Sequence, residues 1–394
     1  MYSEEDINSA VTAGALSAES AAAFRAHMTQ LRELPRGSEE NFRLINSFND
    51  IFVAIGVIIM LVAAGAIGQA LGTAIYPPPD WNTMYAQAIA PTEAQMKAAR
   101  GAREVSESLG ILIGALFVAA TAWPLAEFFT RKRRMALPSI ILLLAYVGGV
   151  FAAVLSAAIA AIDTDGANAL PAILFSVSAL VAAGAAYLHW RRFMVPITVA
   201  AGSAAIAATV VGLLLAGLTE LAPEHDETIA LSLVFLTGLA VFAFAMWWDI
   251  GDRERITRRS DVAFWLHLLA APMIAHPVFA LIGVIDGDDI GTGAVFAVLG
   301  VYIVFGLVAL AIDRRALLVS ALAYVLIALT ILFDRFGAVE LSFALTALVI
   351  GSALLSLSAF WAPIRRAVVS KLPTQWQARL PDTTGVPASA TAPA

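Results

Sequence analysis

Long apolar runs alternate with short polar turns along most of the chain. A membrane-spanning helix needs ~20 predominantly apolar residues. Ten stretches meet that requirement: approximately Ile51–Leu71, Ile111–Phe129, Leu137–Ile162, Leu170–Leu188, Val195–Leu218, Ile229–Trp248, Val262–Val284, Ile290–Ile312, Leu317–Phe333 and Leu341–Trp361. The pattern predicts an all-α, polytopic transmembrane helical bundle of about ten spans over residues 51–362. Barrel strands would be ~10-residue segments of alternating polarity, which these runs are not. Nothing apolar precedes Ile51, so the expectation is that no signal peptide is cleaved and the first span is its own targeting signal.

The polar ends of the chain read differently. Residues 1–50 predict a small cytoplasmic helical hairpin and a juxtamembrane helix. Ser3 with Asp6 has the spacing of a capping box, Ile7 and Val11 share one face, and Gly14 suits a helix stop. Ser17 caps a second helix whose apolar face is Phe24, Met28 and Leu31, ended by Pro35 and Gly37. A third helix from Ser38 runs through Phe42, Ile45 and Phe48 into the first span. The hairpin reads as a docking or sensing element, or as a folded cap on the first helix end, because ~45 residues rarely make an independent domain. The outer loop Gly72–Leu109 opens with Pro77, Pro78 and Pro79, which cannot be helical. Its second half, from Pro91, favours a helix that covers an entrance or lies at the interface. Residues 363–394 are expected as a cytoplasmic tail, disordered from Pro373 onwards because of its Pro, Thr and Ala content.

Composition agrees with a lipid environment. Of the 394 residues 60% are hydrophobic and 14% charged, and mean hydropathy is +0.82, whereas a soluble domain carries ~25% charge. A soluble enzyme, a secreted disulfide scaffold and a nucleic-acid binder are excluded. The chain has no cysteine, so disulfides, zinc–thiolate centres and Fe–S clusters are excluded too. No cofactor and no metal is expected, and the implied partners are the lipid bilayer and a small solute or lipid.

Charge fixes an orientation. Of the 24 Lys and Arg residues, 20 fall at the N-terminus, in alternate turns (131–134, 191–192, 253–259, 314–315) and in the tail. Only Lys97, Arg100, Arg103 and Arg335 lie on the other side, where the turns are acidic instead: Asp163 and Asp165, Glu220 to Glu227, Asp286 to Asp289. The positive-inside rule then puts both termini in the cytoplasm. Arginine outnumbers lysine 21 to 3, the usage of a GC-rich bacterial genome, so the expected site is the bacterial inner membrane.

Two stretches carry a resemblance. Gly14-Ala15-Leu16-Ser17-Ala18-Glu19, followed by an Ala-rich helix, resembles the hairpin opening many bacterial multi-span proteins. Residues Ala126 to Pro138, through Arg131-Lys132-Arg133-Arg134, are similar to proteobacterial members of that kind. The family implied has an N-terminal helical hairpin followed by a helical bundle. It is of unknown function, and the likeness implies no activity.

An internal repeat suggests where a site would lie. Asp163, Asp165, Arg191 and Arg192 recur as Asp286, Asp288, Arg314 and Arg315, all offset by 123 residues. Residues 137–248 and 262–361 would then be two four-helix copies in one orientation, as in many transporters. The competing reading is coincidence, since every hairpin obeying the charge rule has acids outside and arginines inside. At that offset Gly148 and Gly149 overlay Ala271 and Pro272. Paired interruptions of this kind free backbone groups and point to a binding site. Span seven also holds Pro277, His267 and His276. Nine residues at ~100° each put the two histidines about 180° apart. The candidate substrate-binding residues are therefore His276, His267, Pro272, Pro277, Gly148 and Gly149; the alternative is neutral histidines bonded to neighbouring helices.

Other groups read as structural. Glu127 with Arg131, Asp249 with Arg253 and Glu254 with Arg258 are i,i+4 pairs at helix ends. Asp163-Thr164-Asp165-Gly166 resembles the start of a calcium loop, but its twelfth position is Leu174. Gly68 and Gly72 suit close helix packing. No catalytic motif is present, no catalytic residue is assigned and no span carries a mid-membrane Asp, Glu, Lys or Arg. Three functions follow in order: transport or flipping of a weakly polar or lipidic solute; a non-catalytic membrane scaffold or sensor acting through the hairpin; and, weakest, an enzyme on a lipid-linked substrate.

Overall fold

The computed structural model describes residues 4–33, 48–86, 91–162, 169–221, 223–253, 255, 257–283, 292–335 and 341–381. Ser3, the start of the third expected helix at Ser38 and the acidic turns at 163–165 and 286–289 lie outside them. Every regular element among the described residues is helical.

Helices α1 (Glu4–Thr12) and α2 (Ala18–Glu33) form the hairpin. Gly14 makes the turn at φ 72°, a left-handed conformation that suits glycine. Ser17 accepts the Ser20 N–H at 3.0 Å and so caps α2. Helix α3 (Phe48–Ile75) is followed by the three prolines and by a single turn of helix, α4 (Trp81–Tyr85), capped by Asp80. Helix α5 (Glu93–Ala126) starts from a capping box of Thr92 and Gln95. The expected outer helix and second span are thus one rod, and it continues through a wider π-type turn at Glu127–Lys132. Its first 17 residues project about 25 Å beyond Leu109. Ser106 ties this rod to the end of α3, donating to the Tyr76 carbonyl at 2.6 Å.

The remaining spans are α6 (Ala136–Ala161), α7 (Leu170–Phe193), α8 (Ile197–Leu221), α9 (Asp226–Ile250), α10 (Arg258–Leu281), α11 (Thr292–Ile312), α12 (Ala316–Arg335) and α13 (Ser342–Ala359). Ten helices are long and apolar enough to cross a membrane. They coincide with the ten apolar runs, and their outward residues include Ile59, Val62, Leu180, Ile303, Phe343 and Leu355. Such faces need lipid. The chain is a polytopic helical membrane protein.

The helices form two sets. In the first, α5 packs against α3 and α6, and the chain continues by α6–α7 and α7–α8 contacts. The second is built round α10, which packs against α9, α12 and α8. In α10, 56% of the apolar window is buried, against 33% or less in every other span, which makes it the central helix. The sets meet where α8 lies against α9 and α10. There Trp190 of α7 packs into the core of the second set, and Trp265 of α10 packs into that of the first.

Most neighbour relations of residues 137–248 recur in 262–361: the α7–α8 and α8–α9 contacts correspond to α11–α12 and α12–α13, and α6 lies on α5 as α10 lies on α9, whereas the α6–α7 contact has no comparable α10–α11 counterpart. One expectation is corrected. The tail is ordered well past residue 363. Helix α14 (Trp361–Val369) buries Trp361, Arg365 and Val369, a further turn α15 (Thr374–Gln377) follows, and Leu380 is buried. Composition missed this because the anchors are single side chains received by distant corners of the bundle.

Candidate functional site

At the arginine-rich end the second set is joined by buried charge. Asp249, in the last turn of α9, is 2% exposed. Arg314, at the α11–α12 corner, donates from Nη2 to Asp249 Oδ1 at 2.6 Å and from Nε to Oδ2 at 3.3 Å. The same Nη2 reaches the Ser260 carbonyl of α10 at 3.1 Å. His267 donates from Nε2 to Asp249 Oδ2 at 2.9 Å, and its buried Nδ1 has no partner among the described residues. One carboxylate and one guanidinium already balance, so a neutral His267 keeps the cluster uncharged. That suits a site removed from water.

A second network lies beside it. Asp313 accepts from Arg255 Nη1 at 2.9 Å and from Trp361 Nε1 at 2.7 Å, with Arg365 Nε at 3.5 Å from Oδ1. Arg255 also caps the end of α11 through the Ile312 and Asp313 carbonyls. Asp313 and Arg255 both sit in the left-handed region, at φ 57° and 55°. A non-glycine residue rarely does so without surrounding bonds to hold it. Burial next to Arg314 pushes the Arg255 guanidinium below its ordinary value. Asp252 accepts Thr257 Oγ1 at 2.7 Å and the Ser260 N–H at 3.2 Å, so it orders the first turn of α10.

The expected i,i+4 pair of Asp249 with Arg253 is not made. Asp249 turns to Arg314 and His267, and Arg253 donates from Nε to the Leu380 carbonyl at 2.9 Å. Glu254 lies outside the described residues. The Glu127–Arg131 pair is present at 3.4 Å, and Glu127 also holds Arg192 of α7 at 2.5 Å.

The histidines of α10 occupy opposite faces, as nine residues of helix require. His267 belongs to the buried cluster. His276 is exposed, and its Nδ1 shares a 2.8 Å hydrogen bond with the Tyr324 hydroxyl of α12. Tyr324 is in turn stacked on the buried Phe279 ring at 4.4 Å. Pro272 and Leu268 are exposed beside His276, whereas Pro277 is buried. Helix α10 continues through both prolines. Each proline removes an N–H and strands the carbonyl four residues earlier. For Pro277 that is Met273, and its carbonyl is covered by Gly238 of α9: a Cβ there would lie 3.1 Å from the Met273 oxygen. For Pro272 it is Leu268, on the open side.

Leu268, Pro272 and His276 are four residues apart and form one stripe. The most enclosed helix therefore keeps an open face bearing a stranded carbonyl, an imidazole and, from α12, a phenol hydroxyl. Among the described residues His276 Nε2 has no partner. A ligand there would meet an acceptor and a donor–acceptor pair within an apolar wall.

Gly148 and Gly149 do not join this stripe. Helix α6 packs on α3, α5, α7 and α8. A Cβ on Gly149 would come 2.9 Å from the Ala115 carbonyl of α5, so this glycine permits a helix crossing. Gly148 faces open space. Tyr324, Asp249, Asp313 and Arg314 were not singled out as site residues. Arg314 carries a signal only as a marker of orientation and of the 123-residue offset, and Tyr324 carries none.

No protein-family model matches the sequence, and no curated protein and no solved structure is similar to it.

Proposed function

We propose that the protein resides in a bacterial inner membrane with both termini cytoplasmic, and transports or flips a weakly polar or lipidic solute along the open stripe of α10 without a catalytic step. The observation carrying this reading is the stripe itself: hydrogen-bonding groups on the open face of the central helix, which lipid tails cannot satisfy. Polar groups within a membrane are rare and tend to be functional. The arrangement suits a solute with one or two hydroxyl or phosphate-ester groups and an otherwise apolar body.

The test is a lipid-scrambling assay in proteoliposomes with a fluorophore-labelled phospholipid quenched from outside by dithionite. The expected result is protein-dependent loss of the protected inner-leaflet signal, slowed at least about tenfold by His276→Ala with thermal stability unchanged. No acceleration over empty vesicles, together with no thermal stabilisation by added lipid, contradicts the reading. A second reading, a scaffold or sensor acting through the hairpin, is supported by the glycine-turned and serine-capped α1–α2 pair. It predicts that His276→Ala is silent and that deleting residues 1–33 abolishes the biological effect.

A further inference from the structure

The segment that follows the last span has two unlike sides. Its inner side is fixed by the Trp361 bond to Asp313, by Arg365 Nη2 on the Pro381 carbonyl at 2.7 Å and by Arg253 on the Leu380 carbonyl. Its outer side presents Phe360, Ile364 and Trp376, which are 59%, 36% and 64% exposed. Among them Arg366, Lys371 and Arg379 are also exposed. The stretch from Phe360 to Pro381 has four basic residues and no acidic one. It starts immediately after α13 ends at Ala359, so it leaves the membrane at headgroup depth.

We propose that this outer side, residues 360–379, docks on anionic phospholipid headgroups. Tryptophan and phenylalanine rings settle at the boundary between headgroups and tails. Lysine and arginine at that depth attract phosphate, each worth roughly fivefold in partition towards an anionic surface. A segment with basic side chains and no carboxylate favours lipids of net negative charge over zwitterionic ones. Arg315, exposed with its guanidinium 4.6 Å from the Trp361 ring centroid, extends the basic surface onto the α11–α12 corner. Because Arg365 and Trp361 bond to Asp313, headgroup binding would brace the network that holds the second helix set. This surface lies on other elements than the stripe of α10 and stands without it.

The chain has no cysteine, so full-length Gln375→Cys, at an exposed position beside Trp376, takes one polarity-sensitive dye. The dye is compared in nanodiscs of phosphatidylcholine alone and with about one third phosphatidylglycerol. Quenching by aqueous iodide should fall at least about threefold in the anionic bilayer and recover in about 0.5 M salt. Reversing charge at Arg366→Glu, Lys371→Glu and Arg379→Glu together should remove the difference. Equal quenching of the unreversed protein in both bilayers overturns the proposal, and this holds even if the triple variant fails to fold. Protection by inorganic phosphate in the zwitterionic bilayer also overturns it, since the site would then be one for a free anion.

Discussion

Between α3 and α5 the closest approach is backbone to backbone; between α9, α10 and the α11–α12 corner it is charge to charge. On the first pair, a Cβ at Gly68 would lie 2.8 Å from the Gly114 Cα and the Ile113 carbonyl. One at Gly72 would lie 2.7 Å from the Gly110 Cα and the Leu109 carbonyl. The second group instead shares Asp249 among Arg314, His267 and, through Arg314, Ser260. Lipid tails are as apolar as leucine, so burying apolar surface gives two spans little reason to associate. Close dispersion contact and polar bonds remain, and each region uses mainly one of them. Contact between glycines has no charge to unbalance. The Asp249 cluster is strong when complete and costly when one member is lost.

That contrast orders the expected effects. Arg314→Ala leaves the Asp249 carboxylate buried without its counter-ion, and should cost about 3–5 kcal/mol, read as a large drop in unfolding midpoint in detergent or nanodiscs. Replacing both partners by apolar residues of similar volume, Arg314→Met with Asp249→Leu, should recover most of that loss. Gly68→Ala or Gly72→Ala puts a methyl into backbone that cannot yield, at about 1–3 kcal/mol each. Disulfide trapping between cysteines placed on α3 and α5 should report the looser pair. Adjacent glycines on α6 sharpen the point. Gly149→Ala should destabilise in the same range, while Gly148→Ala, facing open space, should be neutral or stabilising by up to about 1 kcal/mol. The smallest effect belongs to Arg103→Ala, which breaks an exposed 2.7 Å pair with Glu107. Such pairs contribute about 0.3–0.5 kcal/mol, and urea melts should barely register the change.

The same contrast decides what was legible beforehand. Spans are written in composition, so all ten were. Small residues at four-residue spacing also mark a packing face, and Gly68 and Gly72 declared theirs. Arg314 and Asp249 lie 65 residues apart on helices with no shared period, and pattern alone favoured the local partner Arg253. The tail differs for a related reason: its Pro, Thr and Ala content suggests disorder from Pro373, but Arg253 and Arg365 hold the Leu380 and Pro381 carbonyls from elsewhere in the fold. Of the site residues, the opposition of His267 and His276 followed from helix geometry. The overlay of Gly148 and Gly149 on Ala271 and Pro272 came from a sequence offset, which does not say which neighbour each helix face meets; Gly149 meets α5 and not the stripe of α10.

A double-mutant cycle on Asp249→Ala, Arg314→Ala and the pair tests most directly whether charge, not shape, holds the second helix set. Unfolding free energies of the four proteins in one lipid give the coupling. The account predicts a coupling of at least about 2 kcal/mol, with the double variant more stable than the two single losses added together. Additivity within about 0.5 kcal/mol would contradict it, leaving the helices of the second set held as those of the first are, mainly by fit.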